Sequence, residues 1–383
     1  MALPVRSMTL TEAVDTTRTG SAWYFDSNGD FQEESTSDVA RIDYDPATGE
    51  RLGLMCEGAS TNFATPSTTT DEVLDSASLN RVILDSTANN KSFGTNIPLR
   101  GLIPNTDNDT HFIGTAETGG TAGGTKTFSC YAIAGASPEF EVWIFGTRAD
   151  RVMVRFLLDG AGSVESSTDL GTTVVESARI RLVGQSDQGD DVYRCEVTGN
   201  YPGSTSTGWS IFLRPEGGSL TFAGDGSTVS TYIGGIQFEE LPAASSYIPT
   251  TTAQVTRAAE THELVSLDPW YRASGYSLAV QWQQRYLATA GNNMHVVSLS
   301  DDTNNNRATV RSSVAAVFAA SVVGGSATLS AVDNVIAANT VARVAVRFEP
   351  NNLGLSLDGD AVATDTSGAL PPPATVARLG SNA

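Results

Sequence analysis

The sequence predicts an all-β protein of two antiparallel β-sandwich domains behind a short N-terminal docking region. Three observations predict it. Short apolar runs alternate with polar residues at a period of two, the signature of half-buried strands. Charged residues make up only 17% of the 383-residue chain, and Ser, Thr, Asn and 36 glycines fill the polar and turn positions instead. That composition suits sheets with many turns, and no amphipathic pattern longer than about two helical turns interrupts it. Finally, the alternation breaks between Leu241-Pro242 and Thr256, where proline cannot donate to a ladder and the residue before Pro249 is forced extended.

The first segment, residues 1–62, opens with a weak helical turn over Leu10–Val14. Trp23-Tyr24-Phe25, the DSNGD loop and Phe31 then read as a hairpin whose Asn28-Gly29 pair takes positive φ at both central positions. These aromatics bury too much area to stay free, so the hairpin is expected to dock on a sandwich or a neighbouring subunit. Asp26, Asn28 and Asp30 look like a fragment of a calcium loop, but Gly29 falls at position 4 rather than 6 and no glutamate follows at position 12. Asp45-Pro46-Ala47-Thr48-Gly49 is a turn. Asp43, Asp45 and Glu57 are the nearest approach to a carboxylate pair for glycoside cleavage, yet Asp45 lies in that turn and Glu57 flanks a loop.

Residues 63–259 form the first sandwich. A polar connector over 65–80 enters it. Phe128, Cys130 and Ala132 share one face of a strand. So do Phe140, Val142 and Ile144 of the next, and Val152, Val154, Phe156 and Leu158 of the third. Ile236 and Phe238 alternate with Gln237 and Glu239 in a closing strand. Residues 260–383 form the second sandwich, with strands carrying Leu278, Val280 and Trp282, then 294–299, 308–311 and 341–348, and a turn at Asp358-Gly359. The DDTNNN loop has oxygens suited to a hard cation but no spacing that enforces a cage, and it reads as solvated.

Five stretches carry a resemblance. ARIDYDPATGERLGLMCEGASTNF at 40–63 resembles a "RxDYDPxTGxxxGLxxExxxTN" segment of bacteriophage virion proteins. GGIQFEELPAASSYIPTTTAQVTRAAE at 234–260 resembles the "GxQxExx…SYIPTxxxxVTRAAE" segment that, in the same proteins, joins a carbohydrate-binding-module-like sandwich to a concanavalin-like one. ARIRLVGQSDQGDDVYRCEVTG and FAGDGSTVSTYIGGIQFE resemble two strands of the former, with Val192 standing where tryptophan is usual and Gly234 where an aromatic is expected. NNLGLSLDGDAVAT resembles the core of concanavalin- and laminin-G-like domains. The resemblance implies jelly-roll, lectin-like folds. It also implies a fibre- or decoration-like virion protein, made in the infected cell's cytoplasm, whose partners are other virion proteins and a host-surface glycan.

A glycan site would need an aromatic platform. The candidates are Trp143, Tyr193, Tyr201 and Trp209 in the first sandwich and Trp270 and Tyr271 in the second, each of which could equally be core. Related sequences continue past the ARLGSN stretch with one more strand. Its absence is expected to leave an open sheet edge beside Val341–Phe348, and hence a homo-oligomer, a trimer by analogy with fibres, contacting around Leu353–Gly380.

Several classes are excluded. A formal net charge of −20 repels phosphate backbones, so nucleic acid is not an expected partner. No apolar run is long enough to insert in a membrane. The three cysteines, Cys56, Cys130 and Cys195, are too few and too scattered for a disulfide framework and read as buried thiols. His111, His262 and His295 have no ligand neighbours at zinc spacing, the 119–124 glycines lack a phosphate cradle's lysine, and no hydrolase motif is present, so neither metal, cofactor nor catalytic residue is expected. The alternative is a polysaccharide depolymerase, which would need two carboxylates facing each other across a groove.

Overall fold

The computed structural model describes residues 13–65, 78–86, 89–94, 97–117, 123–146, 149–202, 207–268, 270–285 and 293–380. Most of the connector read at 65–80, most of the helical turn read at 10–14 and the last three residues lie outside the described residues. The fold is all-β and its sheets are antiparallel.

Two sheets face each other in the first sandwich. A six-stranded sheet runs in the order Ser163–Leu170, Arg151–Leu157, Glu139–Phe145, Thr207–Leu213, Phe112–Glu117, Ser78–Asn80. A second sheet runs Val174–Gln185, Asp191–Asn200, Thr125–Ala134, Thr231–Glu239, Ile97–Pro104, Val82–Leu84, with Lys91–Phe93 also pairing Ile97–Pro104. Phe128, Cys130, Phe140, Val142, Phe156, Trp209 and Phe238 fill the space between them. The alternation puts these residues on the inner faces, because side chains two apart in a strand point the same way.

The second sandwich packs a seven-stranded sheet on a four-stranded one. In the smaller sheet Val341–Phe348 sits between Tyr276–Gln283 and Leu353–Leu357. Its Ala342, Val344, Val346 and Phe348 are buried against Leu299, Val310, Val317 and Leu329 of the larger sheet.

The open edge expected from the chain's end is not there. Val376–Leu379 is an interior strand, paired with both Thr261–Leu264 and Met294–Ser300. The edge beyond Thr261–Leu264 is covered by Val14–Thr17, with Val14 opposite Leu264 and Thr17 opposite Thr261. The chain's own N-terminal segment therefore supplies the strand, and the edge argument for a trimer no longer holds.

The N-terminal hairpin pairs Ala22–Phe25 with Phe31–Glu34. Its loop is five residues long, not a two-residue turn. Asp26 accepts the backbone N–H of Asn28 at 2.8 Å and of Asp30 at 3.0 Å, and only Gly29 takes positive φ, at 82°. A Cβ at Gly29 would lie 2.8 Å from the Pro46 carbonyl oxygen, so the 45–49 turn rests on this loop. The calcium-loop fragment is thus a side-chain-capped turn.

Candidate functional site

The outward face of the second sheet of the first sandwich holds most of the chain's buried charge. Three cross-strand rows define it. Arg179 lies opposite Glu196, which lies opposite Ser129, then Gln237. Arg181 lies opposite Arg194, then Tyr131. Ser177 lies opposite Thr198, then Thr127 and Glu239. Although this is an outer face, Thr127, Ser129, Arg194, Thr198, Gln237 and Glu239 are all buried.

One end is covered by the hairpin. Trp23, Phe25 and Phe31 pack with Phe93, Tyr131, Val183, Val192 and Tyr247. Trp23 and Phe31 stack at 4.9 Å, and Phe31 and Phe93 at 5.2 Å. Val192 and Gly234, the two positions expected to be aromatic, are covered or blocked here. Val192 lies beneath the hairpin, and a Cβ at Gly234 would sit 2.0 Å from the Pro98 carbonyl oxygen.

The middle is an ionic clamp. Glu57 pairs with Arg41 and Arg257, each at 3.0 Å, and accepts the Ser246 backbone N–H at 2.7 Å. Glu260 pairs with Arg41 at 2.5 Å and with Arg18 at 3.6 Å, and lies 3.7 Å from His262. His262 in turn contacts Thr16 Oγ1 at 2.9 Å. Burial opposes ionisation of Glu57, but Arg257, Arg41 and Arg285, with a hydrogen bond from Ser246, overcome it and hold the carboxyl well below the usual carboxylate range. Burial likewise opposes the charge on Arg41, and Glu57 and Glu260 more than offset it. Around the clamp, Asn62 donates to the carbonyls of Ile236 and Ile248 and accepts from Phe238 N–H. Gln237 accepts from Ile248 N–H at 2.7 Å, and Glu239 from Ser60 and Ser245. Buried polar groups are costly unless paired, and this network pairs most of them, although Nε of Arg18, Arg41 and Arg257 and Nε2 of His262 have no hydrogen-bond partner among the described residues.

The clamp's acids are committed. Glu57 and Glu260 serve arginines, and Asp43 accepts the Phe25 N–H at 2.9 Å. Asp45 caps its turn by accepting from Ala47 and Thr48 N–H. In the DDTNNN loop Asp301 bonds Thr303 and Asn306, while Asp302 pairs with Arg378 at 2.7 Å.

The six candidate aromatics do not converge. Trp209 is 1% exposed and packs on Phe128; Tyr193 and Tyr201 are buried, donating to the carbonyls of Gly160 and Ile144, both at 3.0 Å. Burial removes all three from any solvent-facing platform. Trp143 is half-buried on the other sheet, against Phe212 and under Arg151. Trp270 is 37% exposed beside Tyr271, whose hydroxyl accepts the Ala374 N–H at 2.8 Å. Cys130 and Cys195 are buried thiols facing each other across paired strands, whereas Cys56 is exposed, contrary to expectation.

The other end of the face stays open. A cleft of about 190 Å³ lies between it and the second sandwich, lined by Ser177, Arg179, Glu196, Thr198, Arg285 and Asn339 among others. Arg179 Nη1 donates to Asn339 Oδ1 at 3.1 Å, and Arg285 Nη1 to the Ala244 carbonyl at 3.0 Å. Sequence reasoning missed this cleft. The ARIRL alternation places Arg179 and Arg181 on one face, but nothing local marks Arg285 or Asn339, which arrive from the second sandwich.

No family model and no curated protein matches the chain. Among solved structures, domains LG4-5 of the mouse laminin α1 chain are similar at 10% identity, over 73% of this chain and 81% of that one, with a TM-score of 0.23. An overlap this loose carries no argument about function.

Proposed function

We propose that this protein is a non-catalytic, surface-exposed component of a bacteriophage virion, fibre- or decoration-like, that contributes to host-surface attachment. The observation that carries the reading is where the resemblance-bearing residues go. Arg41, Glu57 and Asn62 of one block meet Gln237, Glu239, Ser246, Arg257 and Glu260 of the other in a single buried network. Residues placed so are spent on joining the N-terminal segment to both sandwiches, and a stiff, turn-rich β body suits an exposed structural part. Glu57 is held ionised by Arg257 and Arg41, which is the wrong state for a general acid. Fold alone would not give this function.

Immunogold electron microscopy of virions with an antibody to this chain tests the proposal. Gold on the surface of intact particles is the expected outcome, and unlabelled particles would contradict it. A reducing-end assay on host capsular polysaccharide is expected to show no turnover. Turnover abolished by Glu239→Gln or Asp169→Asn would favour a depolymerase instead.

A further inference from the structure

The arginine cleft is the part of the molecule whose chemistry the clamp does not explain. In a chain of net charge −20, four guanidiniums, those of Arg179, Arg181, Arg194 and Arg285, gather around one carboxylate, Glu196. Arg194 lies 3.2 Å from Glu196 and donates to the Ser245 carbonyl. The other three form no ion pair among the described residues. Arg181 stands directly opposite Arg194, a like-charge cross-strand pair that costs stability. Its Nε has no hydrogen-bond partner among the described residues, and its guanidinium lies over the Phe25 ring at 6.0 Å. Burial, then Arg285 and Arg194, lower the Arg181 pKa to about 10, and Glu196 offsets this only in part. Among the described residues Arg179 and Arg285 each donate a single N–H to the chain, so most of each planar fork is unspent there, beside an open space.

We propose that this cleft binds the carboxylate of an acidic sugar residue, with Arg179 and Arg285 as its charge partners and Ser177, Thr198 and Asn339 facing the ring hydroxyls. Guanidinium forks match a carboxylate's geometry. Glu196 in the wall penalises a doubly charged phosphate more than a singly charged carboxylate. At about 190 Å³ the space suits one residue at a chain end rather than a length of polysaccharide. None of the lining side chains is aromatic, so a neutral sugar would lack a stacking surface. That the ligand comes from a glycan rests on the attachment reading above.

Calorimetric titration of the full chain with sodium glucuronate tests it, beside glucose, acetate and inorganic phosphate. Glucuronate is expected to bind with one-to-one stoichiometry, acetate more weakly, and glucose not at all. Arg179→Gln, and independently Ala243→Asp on the cleft wall, are expected to weaken glucuronate at least about tenfold, the loss of one charge-assisted hydrogen bond. Absence of glucuronate binding overturns the proposal, as does binding unchanged in both variants. Glucose or acetate binding as tightly as glucuronate overturns the acidic-sugar assignment, and tighter phosphate overturns the carboxylate one. Glucuronate binding by a chain absent from virions would leave the cleft standing and remove the attachment role. Labelled virions without glucuronate binding would do the reverse.

Discussion

The strand Thr125–Ala134 separates two buried zones of opposite chemistry. On its inner face Phe128, Cys130 and Ala132 meet Phe140, Phe156 and Trp209 in an apolar cluster, with Lys126 paired to Glu240 near its end. The outer face, which carries Thr127, Ser129 and Tyr131, is covered by aromatics at one end and by the polar network around the Glu57–Arg41–Glu260 clamp in the middle. The inner zone is held by apolar area removed from water, which does not depend on protonation. The clamp is held by charges that are costly to bury and must stay paired. The difference teaches that burial has two signatures in this chain, and only one of them is periodic.

The comparison can be broken from either side. Glu57→Gln leaves Arg41 and Arg257 facing a neutral group, and about 3–5 kcal/mol of stability should be lost in urea denaturation at pH 7. Phe156→Ala, a cavity in the inner zone, should cost a similar amount, about 3–5 kcal/mol. The two variants then separate with pH. Because the folded-state pKa of Glu57 is depressed, its stabilisation is present above the ordinary value of 4.5 and is lost as pH falls below it toward the folded value. The gap between wild type and Glu57→Gln should therefore narrow in acid, while the Phe156→Ala gap should not. Equal behaviour of both variants would erase the distinction.

Trp23→Ala probes the aromatic end of the outer zone. It should cost about 3 kcal/mol and expose residues 13–60 to protease, with the rest of the first sandwich still resistant. Gly234→Ala tests whether the close approach of Pro98 excludes a side chain at this position. A Cβ there meets the Pro98 carbonyl oxygen, and a loss of about 1–3 kcal/mol is expected from the melting curve. A pH-dependent effect lies in the second sandwich. Burial, Arg307 and Arg311 lower the His295 pKa to about 4 from 6.5, so the neutral ring favours folding above pH 6.5 and that contribution is lost as pH falls through about 4. In a melting series from pH 7 to 4, His295→Asn should flatten the upper part of the decline, before Glu57 begins to titrate.

The inner faces were legible in the sequence because alternation alone assigns Phe140, Val142 and Ile144 to one side. The closing strand was half legible. Ile236 and Phe238 face the core as their pattern says, but Gln237 and Glu239 read as solvent-facing when they are buried in the polar network. Alternation says which residues share a face, not what covers it. For the same reason Tyr193, Tyr201 and Trp209 could not be told from a platform. Val14–Thr17, four residues of weak pattern, pairs with a strand nearly 250 positions away, and that contact leaves no local mark. Glu57 read as flanking a loop and nothing marked Arg41 or Glu260 as its partners, because a clamp built across the chain has no period.

If the clamp joins the N-terminal segment to both sandwiches, the three unfold as one cooperative unit. Differential scanning calorimetry of the wild type and of Glu57→Gln at pH 7 tests it most directly. The account predicts a single endotherm for the wild type, with calorimetric and van't Hoff enthalpies in agreement, that splits into two in the variant. Two separate transitions in the wild type, left unchanged by Glu57→Gln, would contradict it.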